Sequence, residues 1–197
     1  EVDGIHLDYI RFCFSSSKKP SAGLEAYNPK SAQSKRVQFE GSLRYSFDEP
    51  TLREFQKETG VDFFGHGEDL AARVEWLYAD PDRREAWYAW KASKVSALVQ
   101  RMREETARRK RELSAALFGG YPWCGKEVAQ RWPGWVDERL LDFAVPMDYD
   151  VDPQPLAKCL ADQFSHLRVE PKPAIPFVAG ISSSSFKDLA GPAVSEK

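Results

Sequence analysis

The chain is poor in the residues that most often announce a chemistry. Its three cysteines, Cys13, Cys124 and Cys159, are odd in number and far apart. They fit no zinc spacing and no dense disulfide framework; at most one pair could bridge, and buried free thiols are the simpler expectation. Charge of one sign is also scarce. With 28 Lys and Arg against 30 Asp and Glu, the formal charge is −2, so there is no electrostatic footprint for nucleic acid or an anionic membrane. Basic residues do gather between Arg101 and Arg111. Glu104, Glu105 and Glu112 interrupt them, as on the solvated face of a helix. No apolar run nears the ~20 residues of a membrane-spanning helix. The chain opens on Glu1, without a Met, directly into a strand-like run. Any targeting signal would therefore belong to an upstream segment.

What is present is ordinary for a globular domain: 42% hydrophobic and 29% charged residues. Strand-like and helix-like stretches alternate. Val2 to Phe14 reads as a strand, followed by a long polar region from Ser15 to Asp48 in which Arg36 to Phe47 could pair as a short strand or hairpin. A connection that long reads as a functional insertion. Pro50 to Thr59 is a helix closed by Gly60, and Glu68 to Tyr78 a second, stopped before Asp80-Pro81. Pro81 to Lys110 carries the strongest helical periodicity, with Trp87, Trp90, Lys91, Lys94, Val95, Leu98, Val99 and Met102 near one face. That spacing favours core packing of the Trp pair over a sugar platform. Leu113 to Phe118 reads as a buried strand, Glu127 to Leu140 as a helix interrupted near Pro133, and Leu141 to Tyr149 as a strand. Gln154 to Leu167 reads as a helix and Ala174 to Ile181 as a last strand, before a flexible tail over 182–197. Such alternation predicts βα units and a parallel sheet.

Two aspartates stand out because each closes a strand. Side chains alternate with period two, so Gly4, His6 and Asp8 share one face of the first strand, and Ile5, Leu7 and Tyr9 the other. In the Leu141 strand, Phe143, Val145 and Met147 share an apolar face, while Ala144, Pro146 and Asp148 share the other. If the strands belong to a barrel, both carboxylates point into its C-terminal mouth, where such folds place their active sites. Glycoside hydrolysis needs such a pair, one protonated to assist the leaving group and one ionised to attack or activate water. The simpler alternative is that each Asp caps the turn after its strand. Asp148, Asp150 and Asp152 also resemble half of a calcium loop, without its Gly or its distal Glu.

The run Asp3-Gly4-Ile5-His6-Leu7-Asp8-Tyr9-Ile10-Arg11 resembles the signature of the glycosyl-hydrolase-like family 10 proteins. Trp87 to Val95, Ser114 to Phe118, and Trp132-Pro133-Gly134-Trp135 leading to Asp142–Tyr149 agree with it in order and spacing. The resemblance spans Val2 to Ile181. It implies a (β/α)₈ TIM barrel, with this chain an incomplete barrel that begins at the fourth strand and holds residues 15–80 as a loop insertion. It further implies an extracytoplasmic glycosidase, with bacterial cell-wall glycan as the substrate class. Asp8 would be the nucleophile and Asp148 the acid/base of a retaining O-glycosyl hydrolase that needs no cofactor. The alternatives are a catalytically inactive glycan-binding barrel and a metal-dependent carbohydrate enzyme.

Supporting roles follow from position. Arg11 could hold a substrate carboxylate or orient Asp8, or form a structural ion pair. His6, one layer below Asp8, could hydrogen-bond it or sit satisfied in the interior. Tyr9 and Tyr149 flank the two aspartates and could bond a sugar or pack. Tyr121 and Trp123, in a Gly/Pro-rich loop after a strand, could stack on a pyranose ring. His66, between two glycines, has no partner that the sequence identifies. Oligomeric state is not legible.

Overall fold

The computed structural model describes residues 2–12, 47–148, 153–168 and 173–180. In chain order the elements are β1 (Gly4–Leu7), α1 (Glu49–Thr59), α2 (Leu70–Ala79), α3 (Pro81–Arg108), β2 (Glu112–Leu117), α4 (Trp123–Glu127), α5 (Trp132–Asp137), β3 (Phe143–Pro146) and α6 (Pro153–Ser165). They fall into two compact units. One holds the described residues of Glu1–Ile10, Val99–Tyr121 and Trp132–Lys197; the other holds those of Arg11–Leu98 and Pro122–Arg131.

The first unit is built on a parallel sheet of three strands in the order β1-β2-β3. An isolated parallel bridge joins Ala144 to Phe177 beyond β3. The strands beginning near Val2, Leu113 and Leu141 are thus parallel neighbours in chain order, as βα alternation requires. The barrel expectation is overturned. An incomplete barrel opening at its fourth strand should run on through further strands, whereas the described residues hold three strands of four to six residues and six helices, a small α/β fold and not a TIM barrel. Residues 174–180 contribute a single bridge at Phe177 instead of a strand.

Helix α3 begins at Pro81, whose fixed φ and missing N–H suit a first helical turn. Its last turns carry Val99 and Thr106 into the core of the sheet unit. Asp142 then ties helix to sheet: its Oδ2 accepts from Arg103 at 2.6 Å and from the Leu113 backbone N–H at 2.7 Å. One carboxylate so anchors the start of β2. The helix expected over Glu127 to Leu140, interrupted near Pro133, is corrected: α4 ends at Glu127, the break falls at residues 128–131, and Pro133 lies in the first turn of α5. Ala129 takes a left-handed φ of 60°, which a continuous helix cannot contain.

The second unit packs aromatic rings. Helix α1 starts at Asp48, whose side chain accepts from the Thr51 N–H, and ends at Gly60 with φ 74°, a conformation glycine adopts without Cβ strain. Phe55 meets Trp87 edge-on at 5.0 Å, and Trp87 stacks on both Phe47 (5.1 Å) and Trp90 (5.4 Å). The Trp pair is therefore core, as the periodicity predicts. Lys94 bridges Glu54 and Glu58 at 2.8 and 2.6 Å, holding α3 to α1 with its ammonium 5.2 Å from the Trp90 ring. His66 does have a partner: its ring lies 4.0 Å from that of Trp76, nearly parallel.

Candidate functional site

In open α/β sheets ligands bind outside the carboxyl ends of the strands, and both aspartates lie at that edge. Asp8 follows the last residue of β1, and Asp148 lies two residues beyond β3. Their placement relative to each other is set by the ladder. Leu7 pairs with Ala115, and Ala115 with Ala144. Partners in a ladder share a face, so Ile5 and Leu7 lie on the side of Ala144, Pro146 and Asp148, whereas His6 lies on the side of Val145; Asp8 follows the last paired residue. Two contacts support this. The His6 Nδ1 is 2.8 Å from the Oγ of its ladder partner Ser114. A Cβ placed on Gly119, two residues on from Leu117, would meet Asp148 Oδ1 at 2.7 Å.

The expected common face for His6 and Ala144 is thus corrected. Aligning the two strands by their terminal Asp assumes that both end at one level. In the ladder Leu7 stands level with Ala144, so β1 closes on Asp8 well short of the level of Asp148.

The two environments differ as well. Asp8 is exposed, and its Oδ1 accepts the backbone N–H of Tyr9 at 2.8 Å. Tyr9 has φ 55° and is 72% exposed, so Asp8 caps a tight turn. Asp148 is only 5% exposed. Its Oδ1 accepts from Gln163 Nε2 at 2.7 Å and from the Cys159 thiol at 3.2 Å. Burial first, and then the hydrogen bond to Asp148, push the Cys159 thiol above its usual pKa, so it remains a protonated donor. The remaining oxygen of Asp148, Oδ2, is buried and has no hydrogen-bond partner, and neither has Gln163 Oε1. Gly119 makes this cluster possible, because a Cβ there would also stand 2.7 Å from Gln163 Nε2.

Cys159, Gln163 and His166 were not singled out in the sequence. Their spacing of four and three residues places them on one face of α6 and its first following turn, and that was the signal available. His166 lies 5.0 Å from the Tyr121 ring, which in turn meets Trp132 at 6.0 Å. Tyr121 thus stands among aromatic rings in the Asp148 unit, whereas Trp123 and Arg11 belong to the other unit. His6 is exposed and bonded to Ser114, so it is not a buried interior histidine. Tyr149, Asp150 and Asp152 lie outside the described residues, and no group of three or more metal-type ligands occurs among the described ones. Cys124 and Cys159 are free thiols. No described helix is long and apolar enough to cross a membrane.

The chain matches no protein-family model, no curated protein and no solved structure. With the barrel corrected, the fold itself lends no support to a cell-wall hydrolase. What the structure shows is a small α/β chain with a three-stranded sheet. Function has to be argued from the site.

Proposed function

We propose that this protein acts on the O-glycosides of a poly- or oligosaccharide, bound at the C-terminal edge of the sheet around Asp148. The observation that carries the reading is the open valence of Asp148. A buried carboxylate oxygen without a partner forfeits on the order of 1–3 kcal/mol or more, and here Asp148 Oδ2 and Gln163 Oε1 are both open. Sugar hydroxyls supply donors for such acceptors, and Tyr121 offers an aromatic ring in the same unit. The resemblance of Asp3–Arg11 and Asp142–Tyr149 to glycosyl-hydrolase-like family 10 supports the same substrate class.

Cleavage would require a second carboxyl group near the scissile bond, one acting as acid and one as nucleophile or base. The ladder, in which β1 closes on Asp8 well short of the level of Asp148, favours a second reading, binding without cleavage. Titration of the chain with oligosaccharides, alongside an assay for new reducing ends, separates the two. Asp148→Asn should weaken binding roughly ten- to a hundredfold, the range of a hydrogen bond to a charged group. Release of reducing ends that Asp8→Asn abolishes would establish hydrolysis with Asp8 in the machinery. Binding without release would establish the second reading. If no oligosaccharide binds, the proposal fails.

A further inference from the structure

The open atoms of the bonded pair Asp148 and Gln163 are of one kind, while the open Trp132 Nε1 and His166 Nε2 of the same unit lie outside that pair. Asp148 Oδ2 and Gln163 Oε1 both accept and cannot donate, and both residues are at least nine-tenths buried. The donors already present, Gln163 Nε2 and the Cys159 thiol, converge on the other oxygen, Oδ1. Both are neutral groups. Among the described residues no ion pair involves Asp148, although the neighbouring carboxylate Asp142 has Arg103 at 2.6 Å. A buried carboxylate with neutral donors on one oxygen and nothing on the other is short of a positive charge. A neutral hydroxyl would fill one acceptor; an ammonium has three donors and also supplies the charge.

We infer that the glycan bound at Asp148 carries a free, protonated amine: an amino sugar that is not N-acetylated. Asp148 Oδ2 takes the ammonium as counter-charge, and Gln163 Oε1 accepts a second of its N–H bonds. Glycine at 119 leaves room for both side chains, since a Cβ there would stand 2.7 Å from Asp148 Oδ1 and from Gln163 Nε2. This rests on the glycan reading above and adds its chemical class.

The test uses three β-linked tetrasaccharides of one backbone: the glucosamine tetramer, its fully N-acetylated form, and cellotetraose. Calorimetric titration of the intact chain should show the glucosamine tetramer binding about tenfold or more tighter than the other two, as for a charge-assisted hydrogen bond. The preference should disappear in Asp148→Asn, with its folding checked by circular dichroism. In the unmodified protein it should disappear at alkaline pH, where the sugar amine is neutral. Equal affinity for all three, or tighter binding of the acetylated form, overturns the amine inference and leaves the glycan reading standing. A preference undiminished in Asp148→Asn belongs to surface charge and overturns it too. If none of the three binds, while other oligosaccharides do, the amine inference alone falls; if no saccharide binds, both readings fall.

Discussion

The two compact units differ in where their open buried polar atoms gather. In the aromatic unit buried polar groups are mostly answered from within. Trp90 Nε1 donates to Glu58 at 2.8 Å, Tyr88 reaches Glu127 at 3.4 Å, and the Lys91 ammonium lies 5.4–5.5 Å from the rings of Phe12, Trp87 and Tyr88. The open atoms there, Trp87 Nε1 and Arg73 Nε, are single donors on separate elements. In the sheet unit Trp132 Nε1 and His166 Nε2 are likewise open, and besides them open acceptors gather on Asp148 and Gln163, which are bonded to each other. A polar group satisfied from within stabilises a core. One left open at the C-terminal edge of a parallel sheet is what makes Asp148 the candidate site. The comparison teaches that the 28-residue α3, the longest described helix, serves packing, while the candidate site gathers on short strands and their connections.

The sharpest way to break this contrast is to hollow out the aromatic unit. Trp87 is fully buried and touches Phe47, Phe55 and Trp90. Trp87→Ala should destabilise the protein by about 3–5 kcal/mol, the usual range for such a cavity, as read from urea unfolding. Glycan affinity of the remaining folded protein should stay unchanged. A specific loss of affinity in folded protein would show that the aromatic unit also shapes the site.

Lys91 offers a second, pH-dependent test. Burial disfavours its charged form and brings its pKa down to about 8 from 10.5, against the opposing pull of Glu127. Below pH 8 the side chain is charged in both folded and unfolded states, and folding bears the whole desolvation cost. Between pH 8 and 10.5 the folded protein releases the proton while the unfolded chain keeps it, so stability rises with pH across that window. The rise is of the order of 3 kcal/mol. Lys91→Met should flatten it and stabilise the protein at pH 7, measured by urea unfolding from pH 6.5 to 11. A flat profile in the unmodified chain would mean that the three aromatic rings already compensate the buried charge.

The smallest effect on stability is expected in the sheet unit, and there it should be coupled to binding. Gly119→Ala places a methyl 2.7 Å from both Asp148 Oδ1 and Gln163 Nε2. Overpacking of this kind costs about 1–3 kcal/mol, and by pushing Asp148 aside it should lower glycan affinity as well. Loss of stability with affinity intact would show that Asp148 can move without consequence, and would remove it from the site.

Local physics was legible in the sequence wherever one residue decides it. Gly60 ends α1 because φ 74° suits glycine, Pro81 opens α3, and the three- and four-residue spacing of Trp87, Trp90 and Lys91 makes one buried face. The parallel neighbours β1, β2 and β3 followed from βα alternation. The break at 128–131 was not legible, since it depends on a left-handed Ala129, a residue that ordinarily favours helix. By itself, then, the sequence determined that Asp8 and Asp148 each end a strand at the sheet's C-terminal edge. Only the tertiary structure decided that the two strands end at different levels and that His6 and Ala144 lie on opposite faces. Alternation within a strand is local, whereas the level at which two strands meet is set by long-range pairing through Ala115.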